Sequence, residues 1–214
     1  MSNFDAPALG PRVRGRKYLN REERGRFLSV AAHARNDHRL FVETLAWTGG
    51  RISEVMAITP SSFDIIGSTL TLQTLKRRRH VTREVPIPPV LIADLVAHFD
   101  LVAAKRDADR ADAPLWKFCR VTGWRIVKKL MSEARLSGAP ATPRGLRHAF
   151  GVGTLQAGIP ITLLQRWLGH ARLTTTAIYA EVSGQEELEF AARFWKWSSG
   201  CAGQIAHVPS WPTR

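Results

Sequence analysis

Thr48-Gly49-Gly50-Arg51-Ile52-Ser53-Glu54 is the stretch on which the reading of this chain turns. Gly49-Gly50 ends one helical pattern, and Ser53 and Glu54 suit the first turn of the next. Arg51 is therefore presented at a helix start, where backbone N–H groups also point outward. Three further segments carry the same density of cations and polar groups. They are Leu-Lys-Arg-Arg-Arg-His at 75–80, Leu-Arg-His-Ala-Phe-Gly at 146–151, and Leu-Gly-His-Ala-Arg-Leu-Thr-Thr-Thr-Ala-Ile-Tyr-Ala at 168–180.

Around these segments the pattern is mostly helical. Asn20 with Glu23 predicts a capped helix over about 20–33, followed by helices over 37–48 and 52–57. Phe63–Ile66, Thr69–Gln73 and Arg83–Ile87 are strand-like, with a turn at Gly67-Ser68. They predict a small antiparallel sheet with 75–82 as its exposed hairpin loop. Pro88-Pro89 opens a helix to about Lys105, with Leu91, Leu95, Phe99 and Val102 on its apolar face. Residues 106–113 read as a charged loop. Helices follow over about 122–136 (Trp124, Val127, Met131 inward), 144–157, and from Pro160 with Ile161, Leu164, Trp167 and Leu168 as a core stripe. Thr174–Ala180 is short and carries Tyr179, and Glu186–Trp197 presents Phe190, Phe194 and Trp197 on one face. The fold class is mainly α with a small antiparallel β-sheet. The expected organisation is a basic flexible arm over 1–19, a domain over 20–197 and an irregular tail over 198–214.

The 214 residues carry 31 Lys plus Arg against 18 Asp plus Glu, a formal net charge of +13. That surplus, clustered at 12–17, 76–83 and 144–148, points to a polyanionic partner. Arg12, Arg14, Arg16 and Lys17 form one candidate DNA-contacting group, and Arg77, Arg78 and Arg79 another. Cys119 and Cys201 stand alone, without zinc-ligand spacing, so neither a structural metal nor a disulfide framework is expected. No apolar run approaches a membrane span, and a cytoplasmic location is expected.

Arg51, Lys76, Arg147, His170 and Tyr179 together suit attack on a phosphodiester without a metal ion. The transition state concentrates charge on the non-bridging oxygens, and arginine is a permanent, bidentate donor to them. Each preorganised donor is worth ~10²–10³ in rate. Tyr179 is the candidate nucleophile. Lys76 is the candidate proton donor to the departing oxygen, with Arg77, Arg78 and Arg79 as rivals in the same hairpin. His170 suits a hydrogen bond to a phosphate oxygen, and Glu54 suits orienting the basic groups. Taken singly, Arg51 reads as a surface arginine, Arg147 as a simple phosphate clamp, His170 as a helix-end cap and Tyr179 as a buried structural tyrosine.

Four segments in this order resemble the catalytic domain of the tyrosine recombinases, the phage-integrase family, from about Leu40 to Val182. The resemblance implies site-specific cutting and rejoining of double-stranded DNA through a 3′-phosphotyrosyl link that leaves a free 5′ hydroxyl. It implies no cofactor, and four protomers acting on two sites. Two departures stand out. The family's His-x-x-Arg is here Arg144-Gly145-Leu146-Arg147, so Arg144 is expected to act as an extra phosphate ligand, because arginine does not shuttle protons near neutral pH. His148 is adjacent, but on a helix it points about 100° away from Arg147. The second departure is length: relatives carry an N-terminal helical domain that closes a clamp on DNA, so this is either a minimal catalytic domain or a fragment. Two other readings stay open. One is a type IB topoisomerase-like enzyme acting on a single duplex, and the other a non-catalytic DNA-binding protein derived from a recombinase.

Overall fold

The computed structural model describes residues 16–74 and 81–179. The segment carrying Lys76, Arg77, Arg78 and Arg79 lies outside them. So do Arg12, Arg14 and Cys201, the helix expected over 186–197 and the tail over 198–214.

The chain opens with α1 (Arg21–Ala31), α2 (Asn36–Thr48) and α3 (Ile52–Met56). Asn20 caps α1 through a reciprocal pair, its Oδ1 accepting from Glu23 N–H at 2.8 Å while Glu23 Oε2 accepts from Asn20 N–H at 3.0 Å. A 3₁₀ turn over Pro60–Ser62 leads into β1 (Phe63–Asp64), β2 (Thr69–Thr74) and β3 (Val81–Pro86). These make one antiparallel sheet in the order β1-β2-β3, with Leu72 opposite Arg83 and Thr74 opposite Val81. The expected sheet is present. The chain then forms α4 (Pro89–Phe99), α5 (Leu101–Arg106), α6 (Ala108–Ala111), α7 (Arg120–Glu133), α8 (Pro143–Gln156), α9 (Ile161–Leu168) and α10 (Thr174–Ala177).

Three expectations need correction. The helix read as continuous from Pro89 to Lys105 breaks at Asp100, which takes a left-handed conformation with φ 50°. The break resets the helical phase, so Leu101 and Ala104 go inside and Val102 stays exposed. The charged stretch 106–113 contains one turn of helix, capped by the Asp107 carboxylate on Asp109 N–H and Arg110 N–H. In α7 the buried face is Gly123, Ile126, Val127, Leu130 and Met131, while Trp124 is exposed.

The main core gathers α1, α2, α3, the sheet, α4 and α7. Its centre is aromatic, with Phe41 edge-on to both Trp116 and Phe118 at 5.2 Å. A second, smaller cluster lies between α8 and α9 and includes Phe150, Val152, Leu155, Leu164, Leu168 and Tyr179. At the N-terminal edge, Arg16 pairs with Glu23 at 2.6 Å and Leu19 is buried. Among the described residues no helix is long and apolar enough to cross a membrane.

Candidate active site

The site forms where the C-terminal ends of α2 and α9 meet the start of α3 and the first half of α8. Gly49 caps α2 with φ 59°, a left-handed turn that glycine takes without strain. A Cβ on Gly49 would also lie 2.4 Å from the Phe150 ring, so the close seam between α2 and α8 depends on it. The turn delivers Arg51 to the N-cap of α3, half-buried. Glu54, three residues on, accepts from Arg51 N–H at 2.9 Å and from Arg51 Nη1 at 2.7 Å.

Arg147 is buried on α8. Its Nη1 donates to the Gly49 carbonyl at 2.6 Å, and its Nη2 donates to the Leu168 carbonyl at 2.8 Å and to His170 Nε2 at 3.0 Å. Arginine is donor-only, so His170 Nε2 must accept. The imidazole proton therefore sits on Nδ1, which donates to Thr176 Oγ1 at 3.0 Å. His170 is thus neutral in the free site. Burial first, and then the charge of Arg147, push it down to about 4. The same two forces act on Arg147, which burial and the neighbouring Arg51 push down to about 10.

Tyr179 follows α10 and is 3% exposed. Its ring lies against the backbone of Gly151, where a Cβ would sit 2.7 Å from Cδ1. The His170 ring is near parallel to it at 6.1 Å, and the His148 ring is tilted at 5.3 Å. Burial raises the phenol above its ordinary value, against the opposing charge and hydrogen bond of Arg147.

Arg51, Glu54, Arg147, His170 and Tyr179 are therefore brought together, while Lys76 lies outside the described residues. Arg144 is exposed one turn before His148, with Nε 3.4 Å from His148 Nε2. Three further residues contribute that the motifs do not mark. Helical spacing points His148 away from Arg147, yet it meets the tyrosine. The reason is that Tyr179 crosses α8 over Gly151, which is four residues after Arg147 and three after His148, and so lies beside both. Thr176, fully buried, fixes the His170 tautomer. Arg83 is 6% exposed on β3 and pairs with Glu54 at 2.6 Å. Its signal was an arginine at an inward position of a strand, alternating with Val85 and Ile87.

The charges do not balance. Arg51, Arg83 and Arg147 face one carboxylate, Glu54, leaving an excess of two positive charges (3 − 1 = 2). Burial opposes ionisation of Glu54, but the bonds and charge of Arg83, with those of Arg51, hold it below its ordinary value. Among the described residues no group of three or more His, Cys, Asp and Glu is placed to hold a metal ion. What the arrangement can bind is an anion.

This helical domain with its three-stranded sheet superposes on solved structures. Over 83% of this chain and 64% of the other, it superposes on the XerA recombinase crystal structure with a TM-score of 0.69 at 25% identity. It covers 86% of this chain and 98% of the catalytic domain of bacteriophage HP1 integrase, with a TM-score of 0.60 at 24% identity. In sequence it is 32% identical over 175 residues to tyrosine recombinase XerA of Thermococcus onnurineus (strain NA1), covering 78% of this chain and 58% of that one. It is 30% identical over 187 residues to the XerA of Pyrococcus furiosus, covering 83% and 61%. The phage integrase family model matches residues 17–186. The chain belongs to the phage integrase family. It spans about 60% of the length of these curated relatives.

Proposed function

We propose that this protein cuts and rejoins double-stranded DNA at specific sites, through a covalent link between Tyr179 and a 3′ phosphate. The observation that carries this reading is the convergence of Arg147 with Gly49, Leu168, His170 and Tyr179 in a cluster with excess positive charge. A scissile phosphate supplies the missing anion. Its non-bridging oxygens take the donors of Arg51 and Arg147, which stabilise the charge that grows in the transition state. The phosphate also favours a proton on His170, turning Nε2 from acceptor to donor.

In the forward step the Tyr179 oxygen bonds to phosphorus and the bond to the 5′ oxygen breaks. The leaving oxygen takes its proton from Lys76 or one of its arginine neighbours, and lysine is the residue type with an accessible neutral form. Tyr179 must lose a proton. His148 is the closer of the two imidazoles flanking its ring, and burial, then Arg144 and Arg147, hold it below its ordinary value and keep it a neutral base. Attack by the 5′ hydroxyl reverses the step, so no ATP is required. The expected partners are DNA and further copies of this chain, four on two sites. XerH, which shares this fold at 21% identity, has a crystal structure in a pre-cleavage complex with its difH substrate.

The test is covalent trapping. Protein is incubated with fragmented DNA of its source replicon, quenched in detergent, and the DNA left attached is sequenced. A recurrent attached sequence is expected. Salt-sensitive binding with no attachment favours the non-catalytic DNA-binding reading, which Arg144 in place of histidine supports. Attachment without sequence preference, with relaxation of supercoiled DNA, favours the topoisomerase-like reading.

A further inference from the structure

We infer that Arg83 is a positioning residue that sets the spacing between the two arms of the phosphate site, Arg51 on one side and Arg147 with His170 on the other. The inference rests on the cleavage reading above. The Arg83 side chain is 3% exposed, and it reaches both arms without belonging to either. Nη2 donates to Glu54 Oε2 at 2.6 Å, and the other oxygen of that carboxylate holds Arg51 Nη1 at 2.7 Å. Nε donates to the Trp167 carbonyl at 2.6 Å, and the next carbonyl, of Leu168, accepts from Arg147 at 2.8 Å. Nη1 donates to Thr74 Oγ1 at 3.1 Å, which ties the fork to the neighbouring strand. Its stem packs on the turn into His170: a Cβ on Gly169 would lie 3.0 Å from Arg83 Cδ.

All three guanidinium nitrogens are thus committed, to α3, to the end of α9 and to β2. A planar fork with fixed angles converts three separate segments into one geometry. Lysine keeps the charge, but its donors all sit on one nitrogen at the end of a flexible stem, so it does not span the three anchors that the fork holds. Charge and position can therefore be separated. If Arg83 acts through its field, Arg83→Lys retains function. If it acts by holding the arms apart at the correct distance, Arg83→Lys fails almost as badly as Arg83→Met.

The experiment measures the rate of covalent adduct formation by the full chain, wild type, Arg83→Lys and Arg83→Met, on the duplex recovered from trapping. Each is run with an ordinary scissile phosphate and with a methylphosphonate there, in which a methyl group replaces one ionised oxygen, so that the neutral linkage depends far less on the cationic clamp. Arg83→Lys and Arg83→Met are expected to slow the ordinary reaction by about 10–100-fold, the scale of a misplaced reacting group, while changing the methylphosphonate reaction only slightly. Equal slowing on both substrates, or a wild-type rate for Arg83→Lys, overturns the inference. If Arg83→Lys does not fold, Thr74→Val loosens one anchor and must show the same charge-dependent slowing, smaller in size. Its absence also overturns the inference. No adduct from wild-type protein on either substrate is the distinct failure of the cleavage reading, and removes the inference with it.

Discussion

At the residue scale the site depends on a tyrosine laid across a helix and an imidazole kept neutral. Gly151→Ala places a methyl carbon against the Tyr179 ring, 2.7 Å from Cδ1 in the present geometry. Adduct formation in this variant is expected to fall by about 10²-fold, as for a displaced nucleophile, while thermal unfolding shows the fold retained. His170 yields a stability prediction. Its folded value of about 4 lies below the ordinary 6.5, so the unfolded chain binds the proton first as pH falls. There is no penalty above pH 6.5, and a growing one between 6.5 and 4. His170→Asn is expected to flatten the fall in denaturation midpoint over that window; an unchanged slope contradicts the assignment. That Arg51, Glu54, Arg147, His170 and Tyr179 would gather in one place was legible from the order of their segments, not from any one residue taken singly. Arg83 was harder to find: its alternation with Val85 and Ile87 marks an inward position, but a lone arginine there carries no family motif, and only the packed structure shows its bonds to Glu54 and the Trp167 carbonyl.

At the element scale, α8 carries Arg147, His148 and Gly151, so its start sets the register of the site. Thr142 caps it, Oγ1 accepting from Gly145 N–H at 3.0 Å. Thr142→Ala is expected to cost about 1 kcal/mol in chemical denaturation, as for other lost caps. Most helices and the antiparallel sheet were legible from caps, prolines and alternation. The break at Asp100 was not, because Leu91, Leu95, Phe99 and Val102 fit one continuous helical face. It takes the packing of Phe99 edge-on to Trp116, at 5.4 Å, and the burial of Leu101 to show that the phase resets. The inward side of α7 was misread for a related reason. Phe41 packs against the helix at Gly123, centring the seam there and leaving Trp124 outside.

At the scale of the whole molecule, one aromatic-centred core holds the frame and a smaller cluster holds the tyrosine. Phe41, fully buried among Trp116 and Phe118, anchors the former. Phe41→Ala is expected to destabilise the protein by about 3–5 kcal/mol, read by chemical denaturation. The net charge of +13 predicts DNA binding dominated by counterion release. With roughly six phosphate contacts, affinity falls about 10³-fold between about 50 and about 200 mM salt, measurable by titration with labelled duplex. Under the proposed function, Tyr179 itself bonds to DNA. The most direct measurement is mass spectrometry of the trapped adduct after nuclease and trypsin digestion, on the peptide spanning 173–193. The expected result is this peptide bearing a nucleotide through a 3′ phosphate on Tyr179, and none from Tyr179→Phe. A nucleotide on another residue, or an adduct that persists in Tyr179→Phe, contradicts it.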